Sequence, residues 1–243
     1  MASSSYNYMH KYLDNPSYTK PSTYSTSSPL EILNQIADDT RFDGLFDERG
    51  DGNIATLFKN HEDLILEHWN AWKIDDPNKQ FKDSQDAAVA LLVRTVQPGT
   101  HAYDFFMVHL LTSSHAVRTL IPLIPKRFHV SLVRQWWLLT IAVYVAQLRP
   151  KIDNDIEVKP DKQWNYVEDR SINGPWATDA HFVKGMLATH TIQHPDDLSL
   201  ALRAIQTAAS TWGDVHERYL AAAVRFADDF EGWAGFGPMD EAN

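Results

Sequence analysis

The sequence predicts an all-α protein, an irregular bundle of about eight helices behind a polar N-terminal tail. Three observations carry this. Apolar residues recur at helical spacing in segments that Pro and Gly cut apart. Recognisable helix starts precede several of those segments. No stretch alternates as a strand would, and there is neither a two-residue hairpin signal nor a fixed-period repeat.

Residues 1–27 are rich in Ser, Tyr and Asn. Their low aliphatic content offers little to offset ordering entropy, so they read as loop or disordered tail, with some tyrosines able to dock on the body. Ser28-Pro29-Leu30-Glu31 starts the first helix: serine caps, proline suits the first position and Glu31 completes a capping box. That helix runs to about Asp39, and residues 41–53, with three glycines, form a loop. The second helix spans Asn53 to just before Asp75-Asp76-Pro77, through Ile54, Leu57, Phe58, Leu64, Ile65, Trp69 and Trp72. The third covers 84–96 and stops at Pro98-Gly99. The central helix follows from about His101 to Leu120, before Pro122 and Pro125, and the fifth covers 128–148, ending at Pro150. Residues 151–173 are charged and aperiodic, and read as a long loop of the kind that often carries function. A sixth helix begins near Pro175 or Thr178 and ends by His194-Pro195. The seventh covers 197–211, and beyond Gly213 the eighth covers 214–233. The organisation expected is a tail, 1–27, and one helical domain, 28–243.

Composition narrows the function. A formal charge of -10 without a basic run argues against a nucleic-acid groove. The absence of cysteine removes disulfides, thiolate metal sites and cysteine nucleophiles. The N-terminus has no apolar core of a secretory signal. The most apolar run, Trp136 to Ala146, is far short of the roughly 20 residues that span a bilayer. The expectation is a cytoplasmic protein with neither nucleic-acid nor membrane partner.

The stretch Tyr103-Asp-Phe-Phe-Met-Val-His109-Leu-Leu-Thr-Ser-Ser-His115-Ala-Val-Arg118 is apolar, yet it holds two histidines, an aspartate, an arginine and three hydroxyls. Polar groups held indoors need partners, so the stretch is either a hydrogen-bonded seam or the wall of a site. His109 and His115 stand about 120° apart on an ideal helix; one ion reaches both only if the helix distorts, for which Thr112-Ser113-Ser114 is the plausible place. His181 and Lys184, three apart, share a helical face. His109 and His115 are open to a structural reading as well, while His61, His68, His190, His194 and His216 read as surface or core groups. Tyr103, Phe105, Phe106, Trp136, Trp137 and Trp176 suit a flat apolar pocket, or simply a helical core. Arg118, Arg134 and Arg149 could orient a phenolate or carboxylate, or pair with acids. No Gly-x-Gly-x-x-Gly follows a strand, so no dinucleotide fold is expected. Oxygen chemistry would need an ion, a flavin or a reduced substrate.

Three blocks carry a resemblance: Tyr103-Asp104-Phe105-Phe106, His109 and Thr112-Ser113-Ser114-His115-Ala116; Arg134-Gln135-Trp136-Trp137-Leu138 to Leu148-Arg149-Pro150; and Asp179-Ala180-His181-Phe182-Val183-Lys184. Together they resemble the questin oxidase-like family, oxidoreductases of secondary metabolism that oxidise aromatic polyketides by Baeyer–Villiger-type oxygen insertion or by ring cleavage, as monooxygenases or dioxygenases. The resemblance implies an anthraquinone-type substrate, NADPH as co-substrate and, in metal-binding branches, non-haem iron held by histidines and a carbamylated lysine. By that analogy His109, His181 and Lys184, with His115 as a weaker fourth, hold the ion. The aromatic rows hold the substrate, and the 151–173 segment closes over it. A lysine in apolar surroundings is a suitable amine for that modification. The family's earlier Asn-His-x-x-His-His block has no counterpart beyond Asn60-His61, and the chain corresponds to about the second half of a typical member. A homodimer, a complementing N-terminal half or a non-catalytic helical subunit is therefore the alternative expectation.

Overall fold

The computed structural model describes Tyr12, Tyr18 and residues 21–96, 100–153, 162–173 and 196–237. These are mostly helical, and they fall into two compact units. The first draws on residues up to Ala87, on Ala116–Lys151 and on residues from Gly235. The second is Ala88–His115 with Ile152–Ala234.

In the first unit Ser28 does what its sequence predicts. Its Oγ accepts the Glu31 N–H at 3.3 Å, and helix α1, Pro29–Asp38, starts there and buries Pro29, Ile32, Leu33 and Ile36. The single helix expected from Asn53 onward is two, α2 (Gly52–Asn60) and α3 (Glu62–Asn70), because the backbone leaves helical geometry at His61. Helix α4, Pro77–Val93, begins seven residues earlier than expected. Asp75-Asp76-Pro77 is its start, not merely the stop of its predecessor: Asp76 Oδ1 accepts the N–H groups of Asn78 and Lys79 at 3.1 and 3.3 Å, and proline occupies the first helical position.

Helix α6, His129–Ala146, is the centre of this unit. From Trp136 to Ala146 only Leu139 is not buried, and α1, α2 and α3 all pack against it. Trp69 ties α3 to it by donating Nε1–H to the Arg134 carbonyl at 2.9 Å, while the Arg134 guanidinium lies 3.8 Å over the Trp69 ring and reaches Asn70 Oδ1 at 2.8 Å. Burial lowers the Arg134 pKa to about 10, which leaves it charged at neutral pH. Beyond α6, Leu148 and Arg149 take left-handed backbone at φ 62 and 52. That turn aims the Arg149 guanidinium at the C-terminal carbonyls of α1, Ile36 and Ala37 (3.1 and 3.3 Å), and at that of Asp39 (2.9 Å). A cation there answers unsatisfied acceptors and the helix dipole together. Residues 41–53 close the end of α6, where Asn53 Nδ2 donates to the Ala146 carbonyl at 3.0 Å.

One tail tyrosine, Tyr12, docks on the body. Tyr12 is fully buried, stacks on Phe58 at 5.6 Å and bonds Glu62. Residues 21–27 run along α3 and its exit, with Thr26 bridged to Trp72 as a one-residue parallel pair.

The second unit corrects the expectation that no strand is present. β1, Ala102–Asp104, pairs in parallel with β2, Gly232–Ala234, with Tyr103 opposite Trp233. Three residues are too few to alternate visibly, and the partner lies far along the chain. β1 leads directly into α5, Phe105–Leu120. The segment read as a loop over 151–173 contains α7, Trp164–Asn173. It packs with α8, Asp196–Trp212, and α9, Arg218–Asp229. Helix α9 ends before β2 rather than running through Trp233. No helix among the described residues is long and apolar enough to cross a membrane.

In the first unit Trp137 Nε1, on a side chain with no exposed surface, is a buried donor without a hydrogen-bond partner among the described residues. Such a group costs roughly 1–3 kcal/mol. Trp137→Phe removes that cost along with some apolar area, whereas Trp69→Phe removes a satisfied bond and a cation–π contact. Denaturant titrations should therefore show Trp69→Phe destabilising by about 2–3 kcal/mol and Trp137→Phe by about 1 kcal/mol or less. Equal losses would show that the Trp137 ring is held by more than apolar packing.

Candidate functional site

The polar-rich central stretch begins at a strand-to-helix corner. Asp104 ends β1 and caps α5, its Oδ1 accepting from Phe106 N at 2.8 Å and Met107 N at 3.0 Å. Its carboxylate is thereby committed to backbone N–H groups at a helix N-terminus, where negative charge is favoured. The three hydroxyls turn inward on their own helix. Thr112 donates to the His109 carbonyl (3.4 Å), Ser113 to that of Leu110 (3.1 Å) and Ser114 to that of Leu111 (2.7 Å). Despite these bonds α5 continues unbroken from Phe105 to Leu120. His109 and His115 therefore remain about 120° apart around it, and any ion site of this helix is built on one of the two.

His109 stands against an aromatic wall. Its ring lies 4.3 Å from that of Phe105, which meets Phe106 at 5.8 Å and Trp233 at 5.9 Å. Trp233 continues to Phe230 at 4.6 Å, and Tyr103 joins Phe226 and Phe230 at 4.7 and 6.0 Å. Tyr103 is fully buried and Phe105 nearly so, whereas Phe106, His109 and Trp233 are half-buried. Burial raises the Tyr103 phenol well above its usual range, so it stays protonated. Phe226, Phe230 and Trp233 did not figure among the expected wall residues. Their spacing of four and then three is a helical face in the sequence, but its meeting with Phe105 depends on the β1–β2 pair.

The remaining candidates fall elsewhere. Trp136 and Trp137 belong to the first unit, 4% and 0% exposed in its core, with Trp136 against Phe81 at 5.6 Å and Trp137 against Trp72 at 5.4 Å. Two of the three arginines, Arg134 and Arg149, hold elements together as described above. Trp176, His181 and Lys184 lie outside the described residues. Among the described residues no group of three or more His, Cys, Asp or Glu side chains forms a donor set for an ion. The described residues alone thus do not fit a complete metal site, and a ligand role for His109 requires the two residues beyond them.

A second polar feature, in the first unit, is a cleft of about 230 Å³ whose lining includes Thr23, Tyr24, Asp39, Arg41, Glu67 and His68. His68 is 3% exposed and lies between two partners: its Nε2 is 3.0 Å from Asp39 Oδ2 and its Nδ1 is 2.7 Å from the Tyr24 hydroxyl. The carboxylate accepts only, so Nε2 carries the proton and Nδ1 accepts from Tyr24. Arg41 bonds both carboxylates, Asp39 at 2.6 Å and Glu67 at 2.9 Å, and Thr23 donates to Glu67 at 2.6 Å. Arg41 holds Asp39 and Glu67 below the usual carboxylate range. Burial lowers His68 despite the nearby carboxylates, and raises the Tyr24 phenol. The network closes on itself and clamps residues 23 and 24 to α3 and to the end of α1. Tyr24, Asp39 and His68 have no common spacing, so no sequence signal marks them as a group.

The family model described as Questin oxidase-like matches residues 1–189 of this 243-residue chain. No curated protein matches it.

The clamp gives a pH dependence with a definite sign. His68 titrates below its ordinary 6.5 in the folded chain, so the unfolded chain binds more protons and stability rises with pH in that window. Its contribution is complete above pH 6.5 and is lost as the pH falls from there through the folded value. Asp39 acts in the same direction further into acid, below the ordinary 3.8. Unfolding free energies measured across this range should fall with acidification, and a His68→Gln variant should show a flatter slope below pH 6.5. Tyr24→Phe, which strands a buried acceptor, should cost about 1–3 kcal/mol at neutral pH. An unchanged slope in His68→Gln would remove His68 as the titrating group.

Proposed function

The chain belongs to the questin oxidase-like family, and on that premise we propose that it is an oxidoreductase acting on an aromatic polyketide of the anthraquinone type, by oxygen insertion or oxidative ring cleavage. The observation that favours a site on α5 is the half-buried His109 imidazole beside the Phe105–Phe106–Trp233 rings. Flat apolar walls with a few polar groups suit a planar polycyclic ligand, and offset or edge-on ring contacts select planarity over bulk.

In this reading Phe105, Phe106 and Trp233 face the substrate rings, and Tyr103 supports them from beneath through Phe226 and Phe230. Tyr103 remains a neutral phenol at working pH and contributes no charge to the wall. His109, His181 and Lys184, with His115 as a weaker fourth, are the residues that would hold an ion, Lys184 as the carbamate formed from its free amine and carbon dioxide. A bound non-haem iron would supply dioxygen activation, with NADPH as the two-electron donor that lets one oxygen atom enter the substrate and the other leave as water.

The first test is metal content by mass spectrometry, on protein prepared without chelator or affinity tag. Near-stoichiometric iron is expected, lost in Lys184→Met and in His109→Ala while the circular dichroism of both variants stays that of the parent. Iron retained by both variants would sink the ligand assignment. Iron absent from the parent would move the reading to a subunit that needs a complementing half. With an anthraquinone substrate, Trp233→Leu should raise KM by about ten-fold, the loss of one aromatic contact of roughly 1–1.5 kcal/mol, with kcat changing less.

A further inference from the structure

The turn between α5 and α6 presents its apolar side chains to solvent. Leu123 is 74% exposed, and Phe128, Leu120 and Val130 are 47%, 45% and 40% exposed. These are four of the seven large hydrophobic residues exposed among the described residues. Single exposed apolar residues need no explanation, but a cluster within eleven consecutive residues does.

The backbone holds them out. Two short 3₁₀ turns, Ile121–Leu123 and Lys126–Phe128, contain or follow Pro122 and Pro125, and only Ile121 is tucked in. Phe128 N–H donates to the Pro125 carbonyl at 2.9 Å, and His129 Nε2 bonds the Ile124 carbonyl at 3.1 Å. Leu123 and Phe128 thus stand exposed on a corner braced by these two bonds.

Charge adds a second, independent observation. Lys126 and Arg127 are exposed in the same corner, and neither forms an ion pair among the described residues; Arg127 lies 4.8 Å over the Phe128 ring. Between Asp104 and Asp153 the sequence contains no Asp or Glu, so no acid of their own stretch neighbours Lys126 and Arg127. This holds in a chain whose net charge is -10. Projecting leucine and phenylalanine side by side with cations match a surface that is apolar beneath and anionic above.

We propose that the 120–130 corner docks on an anionic lipid surface, Leu123 and Phe128 entering the headgroup–acyl boundary and Lys126 and Arg127 meeting the headgroups. A protein partner is less suited to it. Specific protein interfaces use roughly 20–30 residues and about 800 Å² a side, whereas an interfacial anchor works with a small apolar insertion plus basic contacts. Attachment is peripheral, which the lack of a spanning helix among the described residues leaves unaffected. It departs from the expectation of no membrane partner, and it does not depend on the oxidase reading.

Vesicle co-sedimentation of the full chain tests this. Binding is expected to vesicles of phosphatidylcholine with phosphatidylserine. It should be about ten-fold or more weaker to pure phosphatidylcholine, and weaker as salt is raised. Leu123→Ser/Phe128→Ser and Lys126→Glu/Arg127→Glu should each lose about ten-fold or more while keeping the parent melting temperature, since all four side chains are exposed. The chain has no cysteine, so Leu123→Cys accepts a single environment-sensitive fluorophore, whose emission should shift to the blue on anionic vesicles only. No binding to either vesicle, equal binding to both, wild-type binding by the two double variants, or an unshifted fluorophore would each overturn the proposal. So would a dimer in light scattering that the Leu123→Ser/Phe128→Ser variant abolishes, because the corner would then be a self-association surface.

Discussion

Helix α6 has no polar face, and a helix apolar on every side has to be covered on every side. In the first unit that requirement is met by α1, α2 and α3, each of which packs buried apolar residues against it. The helix's few polar atoms are then obliged to work within its own surroundings. Thr140 bonds back to the Trp136 carbonyl at 2.9 Å, and the Arg134 carbonyl takes the Trp69 indole N–H. At its C-terminal end the Ala146 carbonyl is satisfied from outside, by Asn53 and the Gly50 N–H, and the left-handed turn beyond it sends Arg149 across to the α1 carbonyls. A single apolar helix thus explains both the packing and the unusual backbone at Leu148 and Arg149. Left-handed geometry at two consecutive non-glycine residues is costly. It is offset by the three carbonyls, of Ile36, Ala37 and Asp39, that the Arg149 guanidinium reaches from it.

The clamp around His68 follows from the same arrangement. Once α1 and α3 both pack on α6, the Asp39 carboxylate at the end of one and the His68 ring on the other are close neighbours. A histidine 3% exposed would be costly if unpaired. Its two nitrogens find an acceptor in Asp39 and a donor in Tyr24, and Arg41 balances the carboxylates. The result fixes a stretch of chain that has almost no aliphatic residues of its own. Polar bonding there, from the His68 group and from the backbone pairing of Thr26 with Ala71 and Lys73, replaces the apolar burial that residues 21–27 cannot offer.

Sequence reasoning reached what is local. Ser28-Pro29-Leu30-Glu31 carries its capping instruction within four residues, and the apolar run of α6 states its own burial. It failed where a local signal has two meanings or where the meaning is distant. Asp75-Asp76-Pro77 reads equally as an end or a beginning, and only the bonds from Asp76 to Asn78 and Lys79 decide for the beginning. The 164–173 segment is short and strongly polar, so its helix is set by packing with α8 and α9 rather than by a visible apolar face. The His68 group joins residues 24, 39, 41, 67 and 68, which no spacing rule connects. Asp104, suspicious as a polar residue in an apolar stretch, proved to be a cap, and that identification needs the strand before it.

The second unit shows why the candidate site was the least legible part. Its aromatic wall joins Phe105 and His109 on α5 to Phe230 and Trp233 near the end of the described chain, and only the β1–β2 pair sets their register. That pair is three residues long, too short to be stable alone. It is held by His101, whose left-handed φ of 55 turns the chain into β1 while its carbonyl accepts Glu231 N–H at 2.8 Å and its Nδ1 lies 3.2 Å from the Asp229 carbonyl. Slipping the pair by one residue would exchange the faces of Tyr103 and Trp233 and withdraw Trp233 from Phe105. The position of His109 against its wall is therefore a consequence of a distant strand contact, so the geometry of this site and the integrity of the C-terminal strand rise and fall together.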